Sequence, residues 1–217
     1  MPNSTPASPP ESRGLPELRS SRRRTSGRAL TPEELVAWLE LHREGMADRW
    51  LLELRSRVEE LDEDEETLLR DFLNLLVGFL PETLGTFKDQ VSPLYHQAAE
   101  LYGHLAAIRG LAAGEAVEEV QLLREVILRF LYRHPPGAGQ GLGLRELLQL
   151  SRLVDQAVTH TSVGHTDTLF FNLFHGTGVP ESAGPEILAE VREQLHGLGE
   201  ELGRLQALEE GGVIPSR

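Results

Sequence analysis

The chain has 217 residues, of which 40% are hydrophobic and 25% are charged, a composition typical of a globular protein. Its 34 acidic and 21 basic residues give a formal net charge of −13. A surface of this sign repels nucleic acid and anionic lipid, so neither is expected as a partner. The absence of cysteine excludes disulfides, thiolate metal sites and cysteine nucleophiles.

No apolar run approaches the roughly 18 residues that a bilayer-spanning helix needs, and the N-terminus lacks the apolar core of a secretory signal. We therefore expect a cytoplasmic protein without a membrane segment. Lys88 is the only lysine in the sequence, which leaves almost no place for Schiff-base chemistry or for a lysine-based phosphate loop.

Residues 1–30 are predicted to form a disordered tail. They are rich in proline and serine and poor in large apolar side chains, so burial cannot offset the entropy lost on ordering. Six arginines against two glutamates give this tail a net charge of +4. The tail could fold back on the acidic remainder or reach an acidic partner, but a solvated leader is the simpler interpretation.

The first helix is predicted to begin at Thr31. The hydroxyl of Thr31 suits the N-cap, Pro32 suits the first turn, and Glu34 completes a capping box. Gly45 is expected to end or bend this helix, and a second helical pattern starts near Ala47.

Five further helical patterns follow along the chain. Their expected ranges are about 62–80, 92–109, 115–132, 144–174 and 185–208. Pro81 should stop the first of them, the next should begin around Ser92, and Gly164 could disturb the long one. No segment alternates apolar and polar residues at period two, so we predict an all-α fold of six to eight helices.

Candidate chemistry is sparse. The glycine-rich loop at 137–143 is interpreted as a flexible linker, because it lies between helices and lacks the Gly-Lys-Ser/Thr end of a phosphate loop. His160 and His165 are spaced so that they diverge on a helix, so no metal site is expected. His96 and His104 are the candidate axial ligands if haem is bound, although nothing else in the sequence selects them. We expect no cofactor and no catalytic residue.

Four segments of the middle of the chain resemble a known family. They are Asp71–Leu80 (DFLNLLVGFL), Tyr102–Leu111 (YGHLAAIRGL), Glu115–Leu128 (EAVEEVQLLREVIL) and Leu153–Val158 (LVDQAV). Together they resemble the N-terminal sensor domain of RsbT co-antagonist (RsbR/RsbRD-type) proteins, over roughly residues 32–165. Similar domains precede the catalytic parts of many bacterial sensor histidine kinases.

The resemblance implies a helical, globin-like domain without haem, which pairs with itself and passes a signal to an output module. We therefore divide the chain into the tail (1–30), a sensor-like domain (31–165) and a C-terminal helical extension (166–217), which is too short for a kinase domain. The function predicted is a non-enzymatic regulatory module of bacterial signal transduction, of the stress-response or two-component type. The alternative is a haem- or small-ligand-binding globin-like sensor.

Two charged residues are candidates for a contact between helices. Arg124 and Asp155 each fall on a helix face that is otherwise apolar, and an unpaired buried charge is costly. The two helices could therefore pack with these charges in contact. The alternative, somewhat favoured, is that each side chain reaches solvent separately.

The last predicted helix carries an apolar stripe that includes Leu195, Leu198 and Leu202. With the phenylalanines and leucines at 169–174, it offers more apolar surface than a small helical domain readily covers. This surplus predicts a parallel homodimer, or an equivalent contact with a kinase or anti-sigma-type signalling protein. The alternative is that the helix folds back on its own bundle.

Overall fold

The computed structural model describes residues 30–57, 63–136, 143–175 and 184–210. Six helices make up 89% of this described part, which contains no strand, so the predicted all-α class is confirmed. The helices are α1 (Pro32–Arg55), α2 (Glu63–Glu82), α3 (Lys88–Ile108), α4 (Ala113–Arg133), α5 (Leu144–His175) and α6 (Pro185–Glu210). The globin-like arrangement remains a prediction. The tail before Leu30 and most of the glycine-rich loop lie outside the described residues.

The start of α1 is encoded by its first residues, as the sequence predicts. The backbone N–H of Glu34 donates to the Thr31 hydroxyl at 3.3 Å, and the Glu34 carboxylate accepts from the Thr31 N–H at 2.8 Å. Pro32 occupies the first turn, where a missing N–H costs nothing. The capping box therefore satisfies backbone donors that would otherwise lack partners.

The helix does not end at Gly45, because α1 runs through it to Arg55. Met46 and Trp50 continue the buried face that Leu39 belongs to, so burial on this face favours one long helix. A glycine inside a helix costs only about 1 kcal/mol, which the burial of one large side chain exceeds. The absent side chain is also useful, since a Cβ at Gly45 would lie 3.2 Å from the ring of Phe130.

The helix expected from Ser92 begins earlier, at Lys88. Ser92 does not cap it, because its hydroxyl donates to the Lys88 carbonyl oxygen at 2.7 Å, inside the helix. Val91 is buried and shares a helix face with Tyr95, which extends the apolar pattern backwards by one turn. Pro81 lies inside α2, which ends one residue after it, at Glu82.

Successive helices alternate in direction. The indole of Trp38 donates to the His134 carbonyl oxygen at 2.7 Å, and the indole of Trp50 donates to the Glu119 carbonyl oxygen at 2.8 Å, so α1 and α4 are antiparallel. The helices α3 and α5 run parallel, since the Tyr95 hydroxyl donates to Leu153 near one end and His104 contacts Thr168 near the other. One continuous apolar core joins all six helices.

Two glycines let α3 and α5 touch backbone to backbone. A Cβ at Gly103 would lie 2.0 Å from the carbonyl oxygen of Thr161, and one at Gly164 would lie 1.9 Å from that of Glu100. No side chain fits at either place. Gly164 therefore does not disturb α5 but brings it against α3.

The final helix packs on its own chain. Leu195 and Leu202 are each 5% exposed and belong to the core that α6 shares with α2 and α3. The two leucines, for which the sequence predicts a contact with another molecule, thus pack against helices of the same chain. This packing removes them from water, so no second molecule is needed to bury them. Leu198 is only partly buried.

The helix α5 continues without a break past residue 165, where the sequence analysis divides the sensor-like domain from the C-terminal extension.

Candidate functional site

A groove of about 890 Å³ lies between α3, the second half of α5 and α6. Its apolar lining includes Leu101 and Ile108 of α3, Phe171 of α5, and Ile187 and Leu198 of α6. The close α3–α5 crossing at Gly164 forms part of the groove wall. We name this feature the α3–α5–α6 groove.

The polar lining of the groove is rich in acceptors. Glu100, Asp167 and Glu190 contribute carboxylates, and His104 contributes an imidazole. Among the described residues that line the groove, none is lysine or arginine. The groove is therefore a site of negative potential with an apolar wall.

The hydrogen bonds of His104 determine which of its nitrogens carries the proton. The Thr168 hydroxyl lies 2.7 Å from the Gly164 carbonyl oxygen, and because a carbonyl can only accept, the hydroxyl hydrogen points there. The same hydroxyl lies 2.7 Å from His104 Nδ1 and so accepts from it. Burial lowers the pKa of His104, against the opposing effect of Glu190. The neutral ring thus keeps an acceptor at Nε2.

His96 occupies a different environment from His104. Its ring stacks on that of His160 with centroids 4.0 Å apart, and His160 Nδ1 lies 2.7 Å from a Glu100 carboxylate oxygen. His96 Nε2 is buried and has no hydrogen-bond partner in the described part of the chain. Burial, followed by the neighbouring His160, lowers the pKa of His96.

The two haem-ligand candidates, His96 and His104, do not converge on one place. His96 and His104 are eight residues apart on one helix, about 12 Å along its axis, so they cannot bind opposite faces of one iron. His96 is stacked against His160, and the groove beside His104 would repel haem propionates. No group of three or more His, Asp or Glu residues suited to a metal occurs within the described ranges.

The structure brings Arg124 and Asp155 together, since Arg124 Nη2 donates to Asp155 Oδ1 between α4 and α5. Their side chains are 36% and 62% exposed, so the pair lies at the surface and not in the interior. An exposed pair of this kind contributes little to stability.

A buried ionic cluster was missed by the sequence reasoning. Arg109 donates to both carboxylate oxygens of Glu119 at 3.1 and 3.3 Å, and the Tyr102 hydroxyl donates to the same carboxylate at 2.8 Å. Burial, followed by Glu119, raises the pKa of Tyr102 well above its ordinary value. The sequence feature that could have revealed this cluster is the position of Glu119 on the apolar stripe of α4, beside Val120.

The end of α5 exposes large apolar side chains. Phe170, Phe171, Leu173 and Phe174 are all more than half exposed, and Phe174 reaches 81%. The rings of Phe170 and Phe174 lie one turn apart with centroids separated by 6.4 Å. We name these four residues the aromatic end of α5.

These helices match a known family. The family model for the RsbT co-antagonist protein rsbRD N-terminal domain matches residues 44–169, more than half of the chain. The chain belongs to this family. The rsbRD N-terminal domains are regulatory sensor domains of stress-response signalling and are not known as enzymes.

The matched region places the candidate sites relative to the family. The α3 side of the α3–α5–α6 groove lies within the rsbRD N-terminal match, whereas α6 and the aromatic end of α5 lie beyond it. No curated protein and no solved structure matches the chain. Among the described helices, none combines the length and the hydropathy needed to cross a bilayer.

Proposed function

We propose that this protein is a non-enzymatic, cytoplasmic module of bacterial stress-response or two-component signalling that acts by helix-mediated contact with another protein. Membership of the rsbRD N-terminal family supports the regulatory role. The observation that carries the contact mechanism is the aromatic end of α5, where four large apolar side chains face solvent at the end of a helix anchored in the core.

The aromatic end has the chemistry of an interface centre. Aromatic side chains are enriched at the buried centres of protein contacts, and contiguous apolar surface on a soluble domain marks such contacts. Phe170 and Phe174 project one turn apart, so one partner helix can cover both. The stripe first expected to form this contact, Leu195 and Leu202, is already buried in the chain.

A second copy of the chain is the first expected partner, and a kinase or anti-sigma-type signalling protein is the equivalent one. Each chain carries a net charge of −13, so two copies repel each other at low ionic strength. Added salt screens this repulsion and leaves apolar contact unaffected or stronger. Self-association through the aromatic end should therefore strengthen with salt.

The test is the mass of the protein in solution. Light scattering at micromolar concentration should show two chains for the wild type and one chain for the double variant Phe170→Ser/Phe174→Ser. The matched control is Leu41→Ser/Leu52→Ser, which removes two exposed leucines from α1 and should leave the mass unchanged. Circular dichroism should show the same helicity in all three proteins.

The regulatory role has its own readout. In the source bacterium, deletion of the gene should change the transcription of stress-responsive genes, and the wild-type chain should restore it. The Phe170→Ser/Phe174→Ser variant should fail to restore it, while the α1 control should succeed. A wild type that stays a single chain excludes the second copy, and restoration by the phenylalanine variant excludes the aromatic end as the contact.

A further inference from the structure

We propose that the α3–α5–α6 groove binds a small organic cation, namely a protonated amine attached to an apolar body. This inference goes beyond the proposed function, and Phe171 is the residue of the aromatic end of α5 that also lines the groove. The groove has the size expected for such a ligand, since about 890 Å³ falls within the usual range of small-molecule sites.

The apolar wall determines one half of the ligand. Ile187 and Leu198 present aliphatic surface to the groove, and Phe171 adds a ring, whereas Leu101 and Ile108 are only 8% and 2% exposed and contribute little. Burying a phenyl or alkyl body against this wall removes apolar area from water on both partners. A fully hydrophilic ion would leave the wall exposed.

The charged residues of the groove determine the second half of the ligand, its charge. Glu100, Asp167 and Glu190 line the groove without a lysine or arginine beside them in the described lining, so a cation is attracted and an anion is repelled. The other large groove, between α1, α2 and α6, shows that this is not a general property of the surface. It mixes acidic residues with Arg43, Arg70 and Arg192 and has no comparable excess.

His104 adds a directional acceptor. Its Nδ1–H is committed to the Thr168 hydroxyl, which itself donates to Gly164, so Nε2 presents a lone pair and no hydrogen. An ammonium group has three donors and no acceptor, which complements one imidazole nitrogen and the neighbouring carboxylates. The described lining offers a carboxylate or phosphate ligand no lysine or arginine, only uncharged donors such as the amides of Gln97, Asn172 and Gln194.

The test uses three probes that share a phenyl body: phenethylammonium, 2-phenylethanol and 3-phenylpropionate. Isothermal titration of the full chain should show binding of the ammonium probe, binding at least about tenfold weaker for the neutral alcohol, and none for the anion. Binding of the ammonium probe should weaken as salt is raised, because charge attraction is screened. Equal affinity for the alcohol and the ammonium probe would overturn the proposal.

Variants locate the site. Asp167→Asn and Glu190→Gln remove groove charges from exposed positions, so each should weaken the ammonium probe about tenfold while the melting temperature of the free chain stays unchanged. The matched control is Glu193→Gln, on the same helix but outside the groove lining, which should bind as the wild type does. Unaltered affinity in both groove variants would place the probe elsewhere.

The outcome can be separated from that of the contact at the aromatic end. Phe170 and Phe174 do not line the groove, so the Phe170→Ser/Phe174→Ser variant should still bind phenethylammonium. The groove variants should likewise keep the solution mass of the wild type. Failure of one proposal therefore leaves a distinct experimental signature from failure of the other.

Discussion

At Gly164 the carbonyl oxygen of Glu100 occupies the space that any side chain would need. The same holds for Gly103 and the carbonyl oxygen of Thr161. These atoms belong to two helix backbones, so relief requires the helices to separate and not merely a side chain to rotate. The crossing of α3 and α5 thus depends on two missing methyl groups.

Gly164→Ala should destabilise the protein by about 3 kcal/mol or more, since it forces apart two packed helices. Gly203→Ala is the matched control, because Gly203 also lies inside a helix but has nothing within 4 Å of a built Cβ. That control should stabilise by about 0.5–1 kcal/mol. Urea unfolding measures both changes, and an equal response of the two variants would contradict the close crossing.

The role of Gly164 could not be read from the sequence alone. A glycine in a helical pattern indicates a break, a close approach or nothing at all, and the choice depends on the neighbouring helix. Gly45 shows the same ambiguity, since α1 does not end there. The capping box of Thr31 and Glu34 was predictable, by contrast, because its two residues lie only three positions apart in the chain and contact each other.

Two ion pairs between helices show that burial determines how much an ion pair affects the stability of the fold. Arg109 and Glu119 join the end of α3 to α4 with side chains 5% and 8% exposed. Arg124 and Asp155 join α4 to α5 at the surface. The sequence places Arg124 and Asp155 on helix faces that are otherwise apolar. Residues at the edge of such a face can still be exposed, and only the packed structure shows that these two are.

Glu119→Gln should cost about 3 kcal/mol of unfolding free energy, because it leaves the Arg109 guanidinium buried without its counter-charge. Asp155→Asn should cost no more than about 1 kcal/mol, since solvent replaces the lost partner of Arg124. Both changes replace a carboxylate by an amide of the same shape, so each controls for the other. Equal losses in chemical denaturation would contradict the assignment of one pair to the interior.

The α6 helix marks the limit of pattern analysis at this level. Its apolar stripe was visible in the sequence, but the stripe alone does not distinguish a fold-back from a dimer. The structure covers Leu195 and Leu202 with α2 and α3 and leaves Phe174 uncovered. The surplus of apolar surface was therefore predictable, whereas its location was not.

Over the whole molecule, three partly buried histidines link stability to pH. Burial is the largest cause that lowers the pKa of His42, His96 and His104. The unfolded chain then binds more protons than the folded chain between the lowered pKa and the ordinary histidine value of about 6.5. The contribution of these histidines to the free energy of unfolding is therefore fully present above a pH of about 6.5. It is lost as the pH falls through their lowered pKa values in the folded chain.

The melting temperature should fall as the pH is lowered from 8 to 5.5. Replacing His96 by Phe keeps a ring against His160 and removes one proton-binding group, so the fall should become shallower. His196→Gln is the control, because the His196 side chain is 77% exposed and the variant tests whether the loss of any histidine changes the slope. A melting temperature that is constant over this range would contradict the effect of burial.

The close crossing of α3 and α5 also has a mechanical consequence. With 32 residues, α5 is a rod of roughly 48 Å, and the crossing at Gly164 divides it into arms of about 30 and 16 Å. Backbone atoms of the two helices touch there, so a rigid rotation of α5 about this point would move its two ends in opposite directions. A tilt of about 5° would swing the Leu144 end by roughly 2.6 Å and the aromatic end by roughly 1.4 Å in the opposite direction. A rigid α5 could therefore not shift its Leu144 end without also shifting the aromatic end.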